Sequence, residues 1–408
     1  MNQIVNIENV KIGMYLLRIS ACSTNLEVKS QGLIKSSGTI ASLKRRGVES
    51  IEIDLDKSVH AQKKSKAADS TNDVESDVPD VSLTAPRPKP FVKLTFEQQQ
   101  AHLAKADKLY TQARSAQTRF MKQLRTADSP DFDALNHVCQ DIIDSVFENP
   151  EALSCLVMLK DTNDYLVEHS LNCSILMSLF ARHRNFSQAD IEDFTMAGLL
   201  MDVGMTLLPQ DLGSRSDEFS PADIVLMQTH VDIGIEVIER FADVPPMVYD
   251  IIKNHHERID GSGYPKQKTA EQISEYAQMA GIVDCYDAMI TDRAYRSSMS
   301  SQEVLETLSA NPAFSSDLVQ SFIEAIGLYP VGSLVHLKSE KLAIVVQKHK
   351  DNPLKPRVMS FYSIRNKHHA EVKIIDLTKS SDKILGAVRP EEFDLNLSKF
   401  FKSVLFQG

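Results

Sequence analysis

Acids and imidazoles embedded in apolar helical runs constrain this chain more than any other feature. Leu199-Leu200-Met201-Asp202-Val203-Gly204 places a carboxylate inside an apolar run, and Ile282-Val283-Asp284-Cys285-Tyr286-Asp287 does so again. His230 lies in Gln228-Thr229-His230-Val231-Asp232-Ile233-Gly234, and His169 in Tyr165-Leu166-Val167-Glu168-His169-Ser170. A buried acid without a partner is costly, so such groups are paired or bound to a metal. Taken singly, each is as well explained by a hydrogen-bonded structural histidine or a helix cap. Together they require a helical core in which separate segments bring oxygen and nitrogen donors to one place, as metal sites in helix bundles do. The fifth segment is Asn254-His255-His256-Glu257-Arg258-Ile259-Asp260-Gly261-Ser262-Gly263-Tyr264-Pro265, where adjacent imidazoles precede a run of turn residues. Neutral imidazole suits Fe, Mn or Zn.

The pattern around these segments predicts a mainly α protein. Residues 131–328 read as helical almost throughout, an all-α domain with few β-branched runs. Before it, residues 97–130 form an amphipathic connecting helix. Leu103, Ala106, Tyr110, Ala113, Gln117, Phe120 and Leu124 step by three and four along it, a heptad seam with one polar break. That seam suits either packing on its own domain or a homodimer contact through 97–126. Residues 1–56 read as a small N-terminal α/β or β-rich module, with a helix over Ile34–Gly47 and a strand over Val48–Leu55. Residues 57–96 are rich in Ser, Asp, Lys and Pro up to Lys89 and read as a flexible linker. Residues 329–402 switch to short strands at 332–336, 341–347, 357–362 and 372–377, a small C-terminal β module. The final residues, 403–408, read as a remnant of a protease site.

Composition narrows the function. A net charge of -10 argues against a broad basic surface for long nucleic acid, while leaving room for a small anion held by a local Arg cluster. No apolar run reaches the roughly 20 residues of a membrane span. The N-terminus lacks the basic start and apolar core of a signal peptide, so a cytoplasmic protein is expected. The five cysteines are scattered without a CxxC, which fits buried thiols rather than a disulfide framework.

The segment HHERIDGSGYP, with DCYDAMITDRAYR at Asp284–Arg296 after it, resembles the signatures of HD-GYP domains. These are HD-superfamily, metal-dependent phosphohydrolases acting on cyclic di-GMP. The flanks are similar to a known arrangement with a small N-terminal domain of unknown function. The resemblance implies two or three Fe or Mn ions, with a bridging hydroxide attacking phosphorus to give the linear dinucleotide or GMP. It implies that His169, Asp202 and Asp284 line one metal site. Asp202 would bridge to a second site completed by His230, His255 and His256. Asp202 and Asp284 carry the catalytic role in that scheme. Tyr264, Asp287, Arg293 and Arg296 match nucleotide-contacting positions, and Gly263-Tyr264-Pro265 matches a loop linked to protein partners.

The chain departs from the family at three places. The eponymous His-Asp pair reads Met201-Asp202, the usual phosphate-contacting Lys is Met205, and Tyr165 stands where a Glu accompanies a third metal. A thioether is a weak ligand for Fe or Mn beside an imidazole, so about one tightly held ion per chain is the most to expect, or none. Three functions fit: a nucleotide- or partner-binding regulator with weak or lost hydrolysis, an active phosphodiesterase, and a structural adaptor docking through the GYP loop.

Overall fold

The computed structural model describes residues 2–11, 14–22, 32–34, 48–55, 57–58, 96–126, 128–158, 164–209, 212, 219–241, 244–292, 298–349, 351–393, 395–397 and 400. The chain divides into two compact units, residues 1–82 and 83–408.

In the first unit β1 (Asn2–Asn6), β2 (Tyr15–Cys22), β3 (Gly32–Leu33) and β4 (Val48–Asp54) form an antiparallel sheet in the order β1-β4-β2-β3. The alternation in Val48–Leu55 forms the strand it predicts. Val48, Ile51 and Ile53 of β4 are buried with Ile7, Val10 and Ile34 in a small core. Ser58, assigned to the linker on composition, belongs to this module: its hydroxyl donates to the Asp54 carbonyl and accepts from the Tyr15 amide. The helix expected over 34–47 lies outside the described residues, apart from Ile34.

The second unit is helical until residue 326 and then β. Its helices are α1 (Phe96–Arg125), α2 (Phe132–Glu148), α3 (Pro150–Val157), α4 (Tyr165–His183), α5 (Gln188–Leu200) and α6 (Pro221–Gln228). They continue with α7 (His230–Phe241), α8 (Pro246–Asn254), α9 (Glu275–Ile290), α10 (Ser301–Ala310) and α11 (Ser316–Ile326). Their starts are written in the sequence as side-chain caps. Ser187 with Asp190, Ser220 with Asp223 and Ser300 with Glu303 form reciprocal capping boxes.

Helix α4 is buried from Val167 to Ala181 and forms the centre of the bundle. The seam of α1 packs inside this same unit. Ala106, Ala113, Phe120 and Leu124 are buried there, and the Gln117 amide is fully enclosed, donating to Ser170 Oγ and the Leu199 carbonyl. The heptad pattern therefore reports packing on its own domain, and the homodimer contact through this helix is withdrawn: its apolar face is already covered.

After α11 come β5 (Leu334–Leu337), β6 (Lys341–Gln347), β7 (Arg357–Ser363), β8 (His368–Asp376) and β9 (Ile384–Ala387). They pair antiparallel in the order β8-β7-β6-β5-β9. The fifth strand was not foreseen, because Ile-Leu-Gly-Ala is too short to show alternation. Val335, Ile344 and Phe361 of this sheet join Leu135, Phe180 and Phe322 of the helices in one continuous apolar cluster. Among the described residues no helix is long and apolar enough to cross a membrane. Cys139, Cys155 and Cys173 are buried free thiols, as expected.

Candidate metal centre

Five segments bring the predicted donors together. His169 projects from the central helix α4. Asp202 follows α5 and opens a short 3-10 turn over Val203–Leu207, yet its side chain caps no backbone amide of that turn and is left for the site. His230 is the first residue of α7, His255 ends α8, His256 follows it, and Asp284 lies on α9.

Asp202 is the hub. Its Oδ1 lies 3.4 Å from His230 Nε2 and 3.9 Å from His255 Nε2. Its Oδ2 lies 3.3 Å from His169 Nε2, which is also 3.2 Å from Asp284 Oδ1. His256 closes the ring, with Nδ1 3.5 Å from Asp284 Oδ2 and Nε2 3.2 Å from His230 Nε2. Two sets result. Asp202, His230, His255 and His256 offer four ligand atoms within 4.8 Å of one another, and His169, Asp202 and Asp284 offer three.

The tautomers on the first set are fixed from behind. His230 Nδ1 lies 2.6 Å from the Met227 carbonyl, and His255 Nδ1 lies 3.0 Å from that of Ile252. Each ring donates there and turns the lone pair of Nε2 toward Asp202, the arrangement that metal-binding histidines use. The backbone sets the depth of His230. A Cβ on Gly204 would stand 2.0 Å from the His230 carbonyl oxygen and 2.7 Å from the Gly234 amide nitrogen, so only glycine lets the turn after Asp202 lie against α7.

The electrostatics favour a cation. Burial would raise the Asp202 carboxyl, but the His169 and His255 rings beside it outweigh burial and hold it well below its ordinary range. Burial pushes His230 down, and burial with the His255 ring beside it holds His256 well below the usual imidazole value; both are neutral donors. Two buried atoms, Asp202 Oδ2 and His255 Nε2, have no well-oriented hydrogen-bond partner. Orphaned buried acceptors on an acid and an imidazole in one pocket fit a divalent ion.

The remaining predicted residues divide. Tyr264 is half-buried; its ring stacks on His256 with centroids 4.5 Å apart, and its amide donates to the His256 carbonyl. Gly263 is buried, and a Cβ there would lie 2.4 Å from the Arg258 nitrogen. The loop through Pro265 is fixed by Glu257, which sequence reasoning passed over: its carboxylate accepts from the amides of Lys266 and Lys268. Asp287 was expected to touch nucleotide, but it is fully buried. Its Oδ2 lies 2.8 Å from His169 Nδ1, and its Oδ1 accepts from Asn172 Nδ2 at 3.1 Å. Both carboxylate oxygens thus meet side chains of α4. Tyr165 stacks on the His169 ring, 5.4 Å between centroids. Met201 is fully buried within the apolar core, and Met205 is half-buried on the turn after it. Arg293 and Arg296 lie outside the described residues. Cys173, unremarked in the sequence, places its sulfur 3.7 Å from His169 Nε2.

The chain is similar to known proteins. Residues 154–314 match the HD domain family, and residues 3–135 match a domain of unknown function, DUF3391. The cyclic di-GMP phosphodiesterase PA4108 of Pseudomonas aeruginosa is 28% identical over 387 residues, covering 94% of this chain and 91% of that protein. The cyclic di-GMP phosphodiesterase PdeB of Borreliella burgdorferi is 24% identical over 220 residues, 53% of this chain and 56% of that protein. The 3'3'-cGAMP-specific phosphodiesterase 2 of Vibrio cholerae is 25% identical over 168 residues, 40% of this chain and 31% of that protein. Residues 154–314, the His-His and Gly-Tyr-Pro segment among them, thus form a domain of the HD family, similar to those of cyclic dinucleotide phosphodiesterases.

Proposed function

We propose that this chain is a cyclic dinucleotide signalling protein, directed at cyclic di-GMP or a close relative, that holds one Fe or Mn ion and hydrolyses its ligand weakly or not at all. The observation that carries this is the contrast around Asp202. Three imidazoles meet it on one side, two of them oriented by main-chain carbonyls, while position 201 supplies a thioether sunk in the apolar core. The names of the three relatives support the ligand class. Asp202, His230, His255 and His256 would hold the ion, which supplies Lewis acidity toward phosphoryl oxygens. Met205 offers no charge where a Lys would meet a phosphate. Arg293 and Arg296 would supply the anion contacts, their planar forks matching phosphate or the guanine edge.

A second reading, an active phosphodiesterase, has one observation in its favour: His169, Asp202 and Asp284 also converge. The adaptor reading loses ground, because Gly263 is buried and Tyr264 turns its ring onto His256.

Elemental analysis after manganese loading, alongside cyclic di-GMP turnover, tests the proposal. One ion per chain with slow turnover supports it; two stoichiometric ions with rapid turnover replace it with the second reading. Calorimetry with cyclic di-GMP adds the ligand. Charge-assisted contacts worth about 1.5–3 kcal/mol each predict at least a ten-fold loss of affinity in the double variant Arg293→Ala, Arg296→Ala. Natural protein that binds no cyclic dinucleotide with metal supplied would return the adaptor.

A further inference from the structure

Helix α1 lies within the segment matched to the domain of unknown function, not within the HD match. It nevertheless reaches the site through an unbroken line of side chains. Tyr110 on α1 donates its hydroxyl to Asn172 Oδ1 at 3.1 Å. The Asn172 amide donates to Asp287 Oδ1, and Asp287 Oδ2 meets His169 Nδ1. His169 Nε2 then faces Asp202 and Asp284. Two further contacts from α1 bracket the same turn of α4: Arg114 pairs with the buried Glu168 at 3.2 Å, and Gln117 donates to Ser170.

We infer that Tyr110, Asn172 and Asp287 are positioning residues: they fix the ring and tautomer of His169, so that the DUF3391-matched helix completes the HD metal centre. The chemistry is that of a carboxylate behind a ligating imidazole. Asp287 accepts a hydrogen bond from Nδ1–H, so that Nε2 is the nitrogen presented to an ion in the site. Asn172 uses its two functional groups in opposite senses, accepting from Tyr110 and donating to Asp287, so the Tyr110 hydroxyl sets which way its amide points. Buried polar chains of this kind hold one geometry when every member is satisfied. Without Tyr110 the Asn172 oxygen loses a buried donor and its amide is free to turn.

The inference rests on the metal reading of the site, and the test separates the two. Nitrogen-15 correlation spectra of the full chain report the tautomer of His169 without any metal. The natural protein is expected to show one sharp set of His169 ring signals with Nδ1 protonated and hydrogen-bonded, and Tyr110→Phe, which removes one oxygen, to shift or broaden those signals. Asp287→Asn should lose the pattern, and Tyr110→Phe keeps the test usable if that variant folds poorly. The second arm measures manganese affinity at the His169 side in a Met201→His background. An outer partner of a ligating histidine is typically worth about 10–100-fold in affinity, so Asp287→Asn should lose at least ten-fold there and Tyr110→Phe several-fold, with Tyr110→Phe lowering the thermal midpoint by no more than a few degrees. Ring signals and affinities within two-fold of the parent in both variants overturn the inference. If the Met201→His protein takes up no second ion, the metal reading of that side falls, and the ring signals decide the positioning role on their own.

Discussion

The two sides of Asp202 use one carboxylate in opposite ways. Toward His230, His255 and His256 it meets three imidazoles, two of them oriented by main-chain carbonyls. Toward His169 and Asp284 it meets one imidazole and a second acid, with Met201 withdrawn into the core. The first side has two of its ligands fixed by backbone, which no side-chain substitution outside the set removes. The second depends on a chain of side chains and lacks one nitrogen. Nitrogen count and preorganisation both predict that an ion prefers the first side. A site can therefore keep one ion while losing the pair on which fast hydrolysis depends.

The sharpest way to break this contrast is the double change Met201→His with Met205→Lys. It restores an imidazole on the weak side and a charge for the phosphate, and cyclic di-GMP hydrolysis should rise by about two orders of magnitude or more, because two ions clamp the attacking and leaving oxygens. A double variant that holds two ions and stays inert would place the defect elsewhere. Next in size is His255→Ala, which removes one of four donors on the strong side. Manganese affinity by calorimetry should fall by about 100-fold or more, at or above the top of the range for outer partners; full occupancy would move the ion to the other side. The smallest effect belongs to His169→Ala. Retained manganese should stay within about three-fold of the parent, since that ring is not in the four-donor set. A loss as large as that of His255→Ala would mean the two sides act as one.

Much of this was legible because the ligands violate the pattern around them. An acid at 202 or 284 and a histidine at 169 or 230 stand out in apolar helical runs, and the paired imidazoles before Gly-Ser-Gly-Tyr-Pro name their own neighbourhood. The strand at Val48 and the long helix at 97–126 were equally plain from alternation and from a seam without Gly or Pro. What the seam faced was not plain, since a heptad stripe looks the same against its own domain or a second chain. Asp287 illustrates the same point. It lies one turn from Asp284, and only the fold shows one carboxylate turned to the ion site and the other set behind His169. Tyr110 and Asn172 carried no signal at all: a tyrosine in a seam and an asparagine in a helix are ordinary until their partners, distant in sequence, are known.

The contact at Gly204 bears on how such a centre ages. Because the turn after Asp202 rests directly on the first residues of α7, the gap between the acid and His230 is set by the thickness of two backbones. Side chains at 201 and 205 can then be exchanged, and exchanged back, without resizing the cage. On the proposed reading, chemistry in this architecture is a removable fitting on a frame that persists, and a copy silenced at 201 and 205 would stay two substitutions from speaking again.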